Sequence, residues 1–174
     1  MKKNVIMQLL SSTVLFAFLS LPLTTNAQGT KANFAGTWAF NESKSNLGDG
    51  GGFRRGAGQM TVTQDGINLT VVRVRTNQNG EQTTTTDKYT TDGKECVNTS
   101  TTGRGGPSKS ILKWSADGKS LNFAITRTFE RDGKTTEMKS SEVWTLTDAK
   151  TLSVASTFSS PNGEMKSTLV YDKK

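Results

Sequence analysis

The sequence predicts an all-β fold: a single antiparallel up-and-down β-barrel of about eight to ten strands, placed after an N-terminal signal peptide. Three features predict it. Asx-Gly pairs recur at nearly even spacing along the 174 residues. Apolar and polar side chains alternate between those pairs, and no segment after the leader sustains an i, i+3, i+4 pattern. A chain of this length with no visible linker is expected to make one domain.

Residues 1–27 read as the signal peptide. Lys2 and Lys3 form a positive start, Val5 to Leu23 is mostly apolar with Val14 to Leu23 its clean stretch, and Thr25-Asn26-Ala27 supplies small or neutral residues in the A-x-A manner. The clean stretch is too short to span roughly 30 Å of hydrocarbon, so no integral membrane segment is expected in the mature chain. No cysteine stands directly after it, which argues against a lipid anchor. The barrel domain is then 28–174, exported to the periplasm or the extracellular space.

The mature chain reads as strand, turn, strand. Asp65-Gly66, Asn79-Gly80, Asp92-Gly93, Asp117-Gly118, Asp132-Gly133 and Asn162-Gly163 each favour a tight hairpin, because both residues tolerate positive φ. Gly103-Arg104-Gly105-Gly106-Pro107 and Thr147-Asp148-Ala149-Lys150 complete the series, so turns recur every 11 to 16 residues. Strands of roughly 8–11 residues fit between them, each ~30 Å long. Gly36–Phe40 is the first. A weak echo links Val62–Val71, Trp114–Phe123 and Trp144–Val154, each a hairpin of similar geometry. A meander this long either stacks as two sheets or rolls shut, and closure removes the exposed edges.

Alternation then assigns faces. Leu121, Phe123, Ile125, Arg127 and Phe129 share one side of a strand. So do Ile67, Leu69, Val71, Arg73 and Arg75, and Met138, Ser140, Glu142, Trp144 and Leu146. Leu152, Val154, Ser156 and Phe158 form a further set. The interior is thus expected to carry Arg73, Arg75, Arg127 and Glu142 among apolar neighbours. A charge there must be paired or solvated. It serves either a polar lumen that meets a ligand or a structural ion pair, unless a bulge flips the parity.

Composition excludes much. With 22 Lys+Arg against 15 Asp+Glu and no histidine, the chain carries +7 and lacks any His-based triad, metal site or proton shuttle. A single cysteine, Cys96, removes intrachain disulfides and Cys-cluster metal sites; it reads as a buried, inert thiol in a strand. No cofactor, metal or catalytic residue is expected. An enzyme would need carboxylates, and only Glu142, with Asp87, faces inward. The fragments Gly50–Gly56 and Gly103–Gly106 resemble RGG pieces but do not repeat, so no nucleic-acid partner is expected.

Phe34-Ala-Gly-Thr-Trp-Ala-Phe40 resembles the G-x-W opening of the calycins, the superfamily of lipocalins and fatty-acid-binding proteins. The F-x-G-T-W form is most similar to the ten-stranded fatty-acid-binding branch. The ending Ser167 to Lys174 is similar to that branch's R-x-Y ending, and Phe34–Asn41 with Lys44-Ser45 resembles the start of small secreted bacterial lipocalin-like domains. The resemblance implies a lipocalin-like barrel over 28–174, with Trp38, beside Gly36, plugging its closed base. Two features depart from it. Leu169 stands where R-x-Y has arginine, and no arginine of the last strand covers the plug. The family's carboxylate anchor is therefore missing from its usual place.

In a meander, successive turns alternate between the two barrel ends. One end collects Arg54, Arg55, Arg104 and Arg131 as a basic mouth, while Trp38, Trp114 and Trp144 lie toward the other as an apolar floor. Such a funnel concentrates anions. The expected function is that of a secreted, monomeric, non-enzymatic carrier or sensor of a small amphiphilic anion. Arg73, Arg75, Arg127 and Glu142 would meet its charge, and Trp114, Phe129, Trp144 and Tyr171 its apolar body. The alternative is an envelope or surface interaction module, its barrel filled by side chains and its function on the glycine-rich basic loops.

Overall fold

The computed structural model describes residues 29–48, 58–76, 79–99, 106–131, 133–160 and 163–174. The expected signal peptide and most of the glycine-rich loops lie outside these residues. Ten strands follow in order: β1 (Gly36–Asn46), β2 (Gln59–Asp65), β3 (Asn68–Thr76), β4 (Gln82–Thr90), β5 (Glu95–Asn98), β6 (Ser108–Trp114), β7 (Ser120–Arg131), β8 (Lys134–Asp148), β9 (Thr151–Ser160) and β10 (Gly163–Lys173). The glycine of each Asx-Gly pair falls at a strand junction with positive φ, from 56° at Gly66 to 120° at Gly163. Strand lengths are less even than the turn spacing predicts, from 4 residues in β5 to 15 in β8. The first strand also runs past Phe40 to Asn46, across a bulge that restores its pairing with β10.

Every strand pairs antiparallel with its sequence neighbour except β4 with β5, and β1 pairs with β10. The ten-stranded sheet therefore rolls into a nearly closed barrel with one seam, between β4 and β5. Side chains join that seam. The Asn98 amide accepts from the Lys88 N–H at 2.8 Å and donates to the Lys88 carbonyl at 3.0 Å, as a neighbouring peptide would. Cys96 Sγ accepts from the Thr90 N–H at 3.1 Å. The thiol is half-buried and serves as a seam contact, where a fully buried one was expected.

The lower half of the barrel is filled. Trp38, Leu69, Val71, Leu112, Leu121, Phe123, Trp144 and Leu152 are buried there, and Leu69, Val71, Leu121, Phe123, Trp144 and Leu152 keep the parity that alternation predicts. Ile67 departs from it: it sits in the β2–β3 turn, 47% exposed. The segment before β1 seals the base. Ala32 donates to the Gly118 carbonyl, while the Gln64 side chain accepts from the Phe34 N–H and donates to the Ala32 carbonyl. This strap carries Phe34 into the floor. Phe34 stacks on Trp114 and meets Trp144 edge-on, with centroids 5.8 and 5.9 Å away. The indole N–H of Trp38 donates to the Phe34 carbonyl at 2.9 Å.

The plug does have a cationic cover. The Lys173 ammonium lies 5.2 Å from the Trp38 ring centroid, where the sequence shows no arginine. Gly36 makes room for it: at φ 143°, an added Cβ would stand 2.6 Å from the Lys173 side chain.

Candidate ligand-binding cavity

Above the floor the inward positions change character while keeping their parity. On β3, Leu69 and Val71 give way to Arg73 and Arg75. On β7, Phe123 and Ile125 give way to Arg127 and Phe129. On β8, Trp144 gives way to Glu142, Ser140 and Met138, and on β9, Val154 gives way to Ser156 and Phe158. Cross-strand register sets these residues at matching heights: Arg127 opposite Met138, Glu142 opposite Ser156, Arg73 opposite Met60. Large apolar side chains fill the space below. Here serines and splayed arginines leave a cavity of about 320 Å³, open toward the upper end. That is at the small end of ligand sites, roughly 300–1,000 Å³.

Arg73 is the centre of the wall. It donates to Asp87 Oδ2 at 2.8 Å and lies 3.8 Å from Glu142 Oε2, with its side chain 15% exposed. Glu142 in turn accepts from the Trp144 indole N–H at 2.9 Å. The guanidinium sits 5.9 Å from the Trp144 ring centroid. Burial opposes its charge, but Glu142, Tyr89 and Asp87 outweigh that and hold its pKa above the ordinary guanidinium value. Arg75 is the opposite case: burial, then repulsion from Arg73 and Arg127, lower its pKa. Among the described residues no ion pair reaches Arg127. Burial lifts Tyr89 and Tyr171 to about 12, against the pull of Arg73.

Of the residues singled out in the sequence, Arg73, Arg75, Arg127, Glu142, Phe129, Trp144 and Tyr171 line this cavity. Trp114 does not. It stands at the lower end of β6, opposite Leu121, and Phe34 of the strap covers its face. Arg54, Arg55 and Arg104 and the Arg131 side chain lie outside the described residues, as do the loops of the alternative reading. Sequence reasoning did not name Met60 or Leu169 as lining residues. The parity of β2 and β10 carries both, since Met60 is two residues from Val62 and Leu169 two from Tyr171. Among the described residues no group of His, Cys, Asp or Glu is placed to hold a metal ion.

No family model matches the sequence, and no curated protein matches it. Several solved structures resemble the fold, among them the following two. One is a point mutant of the fluorescent protein UnaG, with 19% identity and a TM-score of 0.50, covering 81% of this chain and 96% of that one. The other is zebrafish ileal bile acid-binding protein complexed with cholic acid, with 16% identity and a TM-score of 0.51, covering 81% and 98%. At such identities the likeness is one of fold. The chain shares the fold of these two structures. That fold is a ten-stranded antiparallel up-and-down sheet, nearly closed, with one side-chain-bridged seam between β4 and β5.

Proposed function

We propose that this protein is an exported, non-enzymatic binder of one small amphiphilic anion, held in the lumen with its head group between Arg75 and Arg127. A single observation carries the reading. A close-packed barrel keeps a cavity of about 320 Å³ and lines it with three guanidinia, Arg73, Arg75 and Arg127, two of which repel Arg75. Native interiors leave few voids larger than a water molecule, so retained space beside like charges fits a bound counter-charge. Met60, Ile125, Phe129, Phe158 and Leu169 supply the apolar surface for the rest of the molecule. A protein of this fold holds cholic acid, an amphiphilic carboxylic acid, in its solved complex, which supports the ligand class. The role is that of a carrier or sensor outside the cytoplasm, the leader of residues 1–27 supplying the export step.

A fluorescent fatty-acid analogue tests this. It should bind with one site, be displaced by other amphiphilic anions, and lose affinity by about tenfold or more in Arg127→Ala, the cost of removing one charged hydrogen-bond donor. Unchanged affinity in that variant would reject the assignment of the head group.

A further inference from the structure

Resting on that reading, we infer that Ser156 and Ser167, with Glu142, form a second polar subsite low in the lumen, which takes a hydroxyl group carried on the ligand away from its acid head. The register of β8, β9 and β10 lays their inner face out in rows. Trp144, Val154 and Leu169 make an apolar row on the floor. Directly above them stand Glu142, Ser156 and Ser167, one from each strand, and above these Ser140, Phe158 and Met165. A polar row thus interrupts a largely apolar wall. Its Ser167 hydroxyl has no partner: the residue is 5% exposed, and Oγ meets no hydrogen-bonding atom among the described residues. Buried hydroxyls left unpaired are costly and rare in native interiors. Ser167 lines a recess of about 220 Å³ bounded by β9, β10 and the end of β1. Ser156 and Thr157 line both that recess and the main cavity, so the two spaces adjoin at the polar row.

The chemistry of the row selects a hydroxyl. Serine both donates and accepts, whereas a carboxylate only accepts. Glu142 Oε2 accepts from the Trp144 indole N–H at 2.9 Å and lies 3.8 Å from Arg73, and a carboxylate has about four acceptor positions in all. A ligand hydroxyl can therefore accept from a serine of the row while donating to Glu142 or to the other serine. The row also lies well below the head-group site. Phe123 stands opposite Glu142, and Arg127 is four residues up the same strand, a rise of about 13 Å. The hydroxyl recognised here is thus one near the far end of the ligand, and the preferred ligand is an amphiphile that is polar at both ends.

The test compares decanoate, 10-hydroxydecanoate and 3-hydroxydecanoate, all below their micellar concentrations at pH 8, by calorimetric titration of the full folded protein. In a purely apolar pocket a terminal hydroxyl weakens binding, because it leaves water without gaining a partner. Here 10-hydroxydecanoate should bind more tightly than decanoate by about three- to tenfold, the worth of one net hydrogen bond, and 3-hydroxydecanoate should show no such gain. Ser167→Ala removes the unpaired oxygen and should bring the ratio of 10-hydroxydecanoate to decanoate affinity down to one or below. Ser156→Ala should move the ratio in the same direction, and near-ultraviolet circular dichroism reports whether each variant is folded. If the acids bind but the wild type gains nothing from the terminal hydroxyl, or if the gain survives both substitutions, the subsite is wrong and the binding function stands. If none of the acids binds the wild type, the binding function fails and this inference with it.

Discussion

Both tyrosines of the chain, Tyr89 and Tyr171, are buried, at 7% and 6% exposure. Burial moves their phenols from an ordinary value of 10.0 to about 12. The folded state therefore favours the neutral phenols. That contribution is complete below pH 10 and is lost as pH climbs from 10 through 12. The phenolate absorbance of the folded protein should stay flat through pH 10, then rise together with the loss of near-ultraviolet ellipticity. A folded protein already half-ionised at pH 10 would contradict this account. Single residues also explain the local departures from pattern. Gly36 has no side chain because Lys173 passes over it to reach Trp38, a contact between the first and last strands.

At the scale of elements, the weak point of the barrel is the joint between β4 and β5. Elsewhere a strand is held by a ladder of backbone hydrogen bonds; here Asn98 and Cys96 side chains stand in for it. Asn98→Ala removes both bonds to Lys88 and should cost about 1 kcal/mol or less per bond, since the site is open to water. The readout is hydrogen exchange: the Lys88 amide should exchange much faster, while those of β3 between β2 and β4 keep their protection. Equal Lys88 protection in the variant would show that the seam is held by something else. Four-residue β5 was legible only as a strand-like run around Cys96, after the turn that Asp92-Gly93 marks. The sealing strap of residues 29–35 was not legible at all. It has no period, and its hydrogen bonds go to Gln64 and Gly118, far along the chain.

For the whole molecule, the question is where an anion meets a chain that carries +7. Exposed charges are screened over about 8 Å at physiological ionic strength, whereas buried pairs are screened much less. Binding in the lumen should therefore weaken only modestly as salt rises from low to physiological concentration. Binding to scattered surface lysines would fall steeply over the same range. A titration of decyl sulfate affinity against salt separates the two.

Alternation along each strand was enough to place Arg73, Arg75, Arg127 and Glu142 on the inner face, because side-chain direction in a strand has period two and needs only local sequence. The evenly spaced turns likewise set the number and order of strands, since Asx-Gly chemistry acts over two residues. Which inward residues touch was decided by the tertiary structure alone. Arg73, Asp87 and Glu142 come from β3, β4 and β8, and their meeting depends on how the sheet curls. The same closure put Phe34 over Trp114, taking that tryptophan out of the lumen, and left a cavity where the wall turns from large apolar residues to serine and arginine. Parity is a property of one strand; proximity across a barrel belongs to its closed shape.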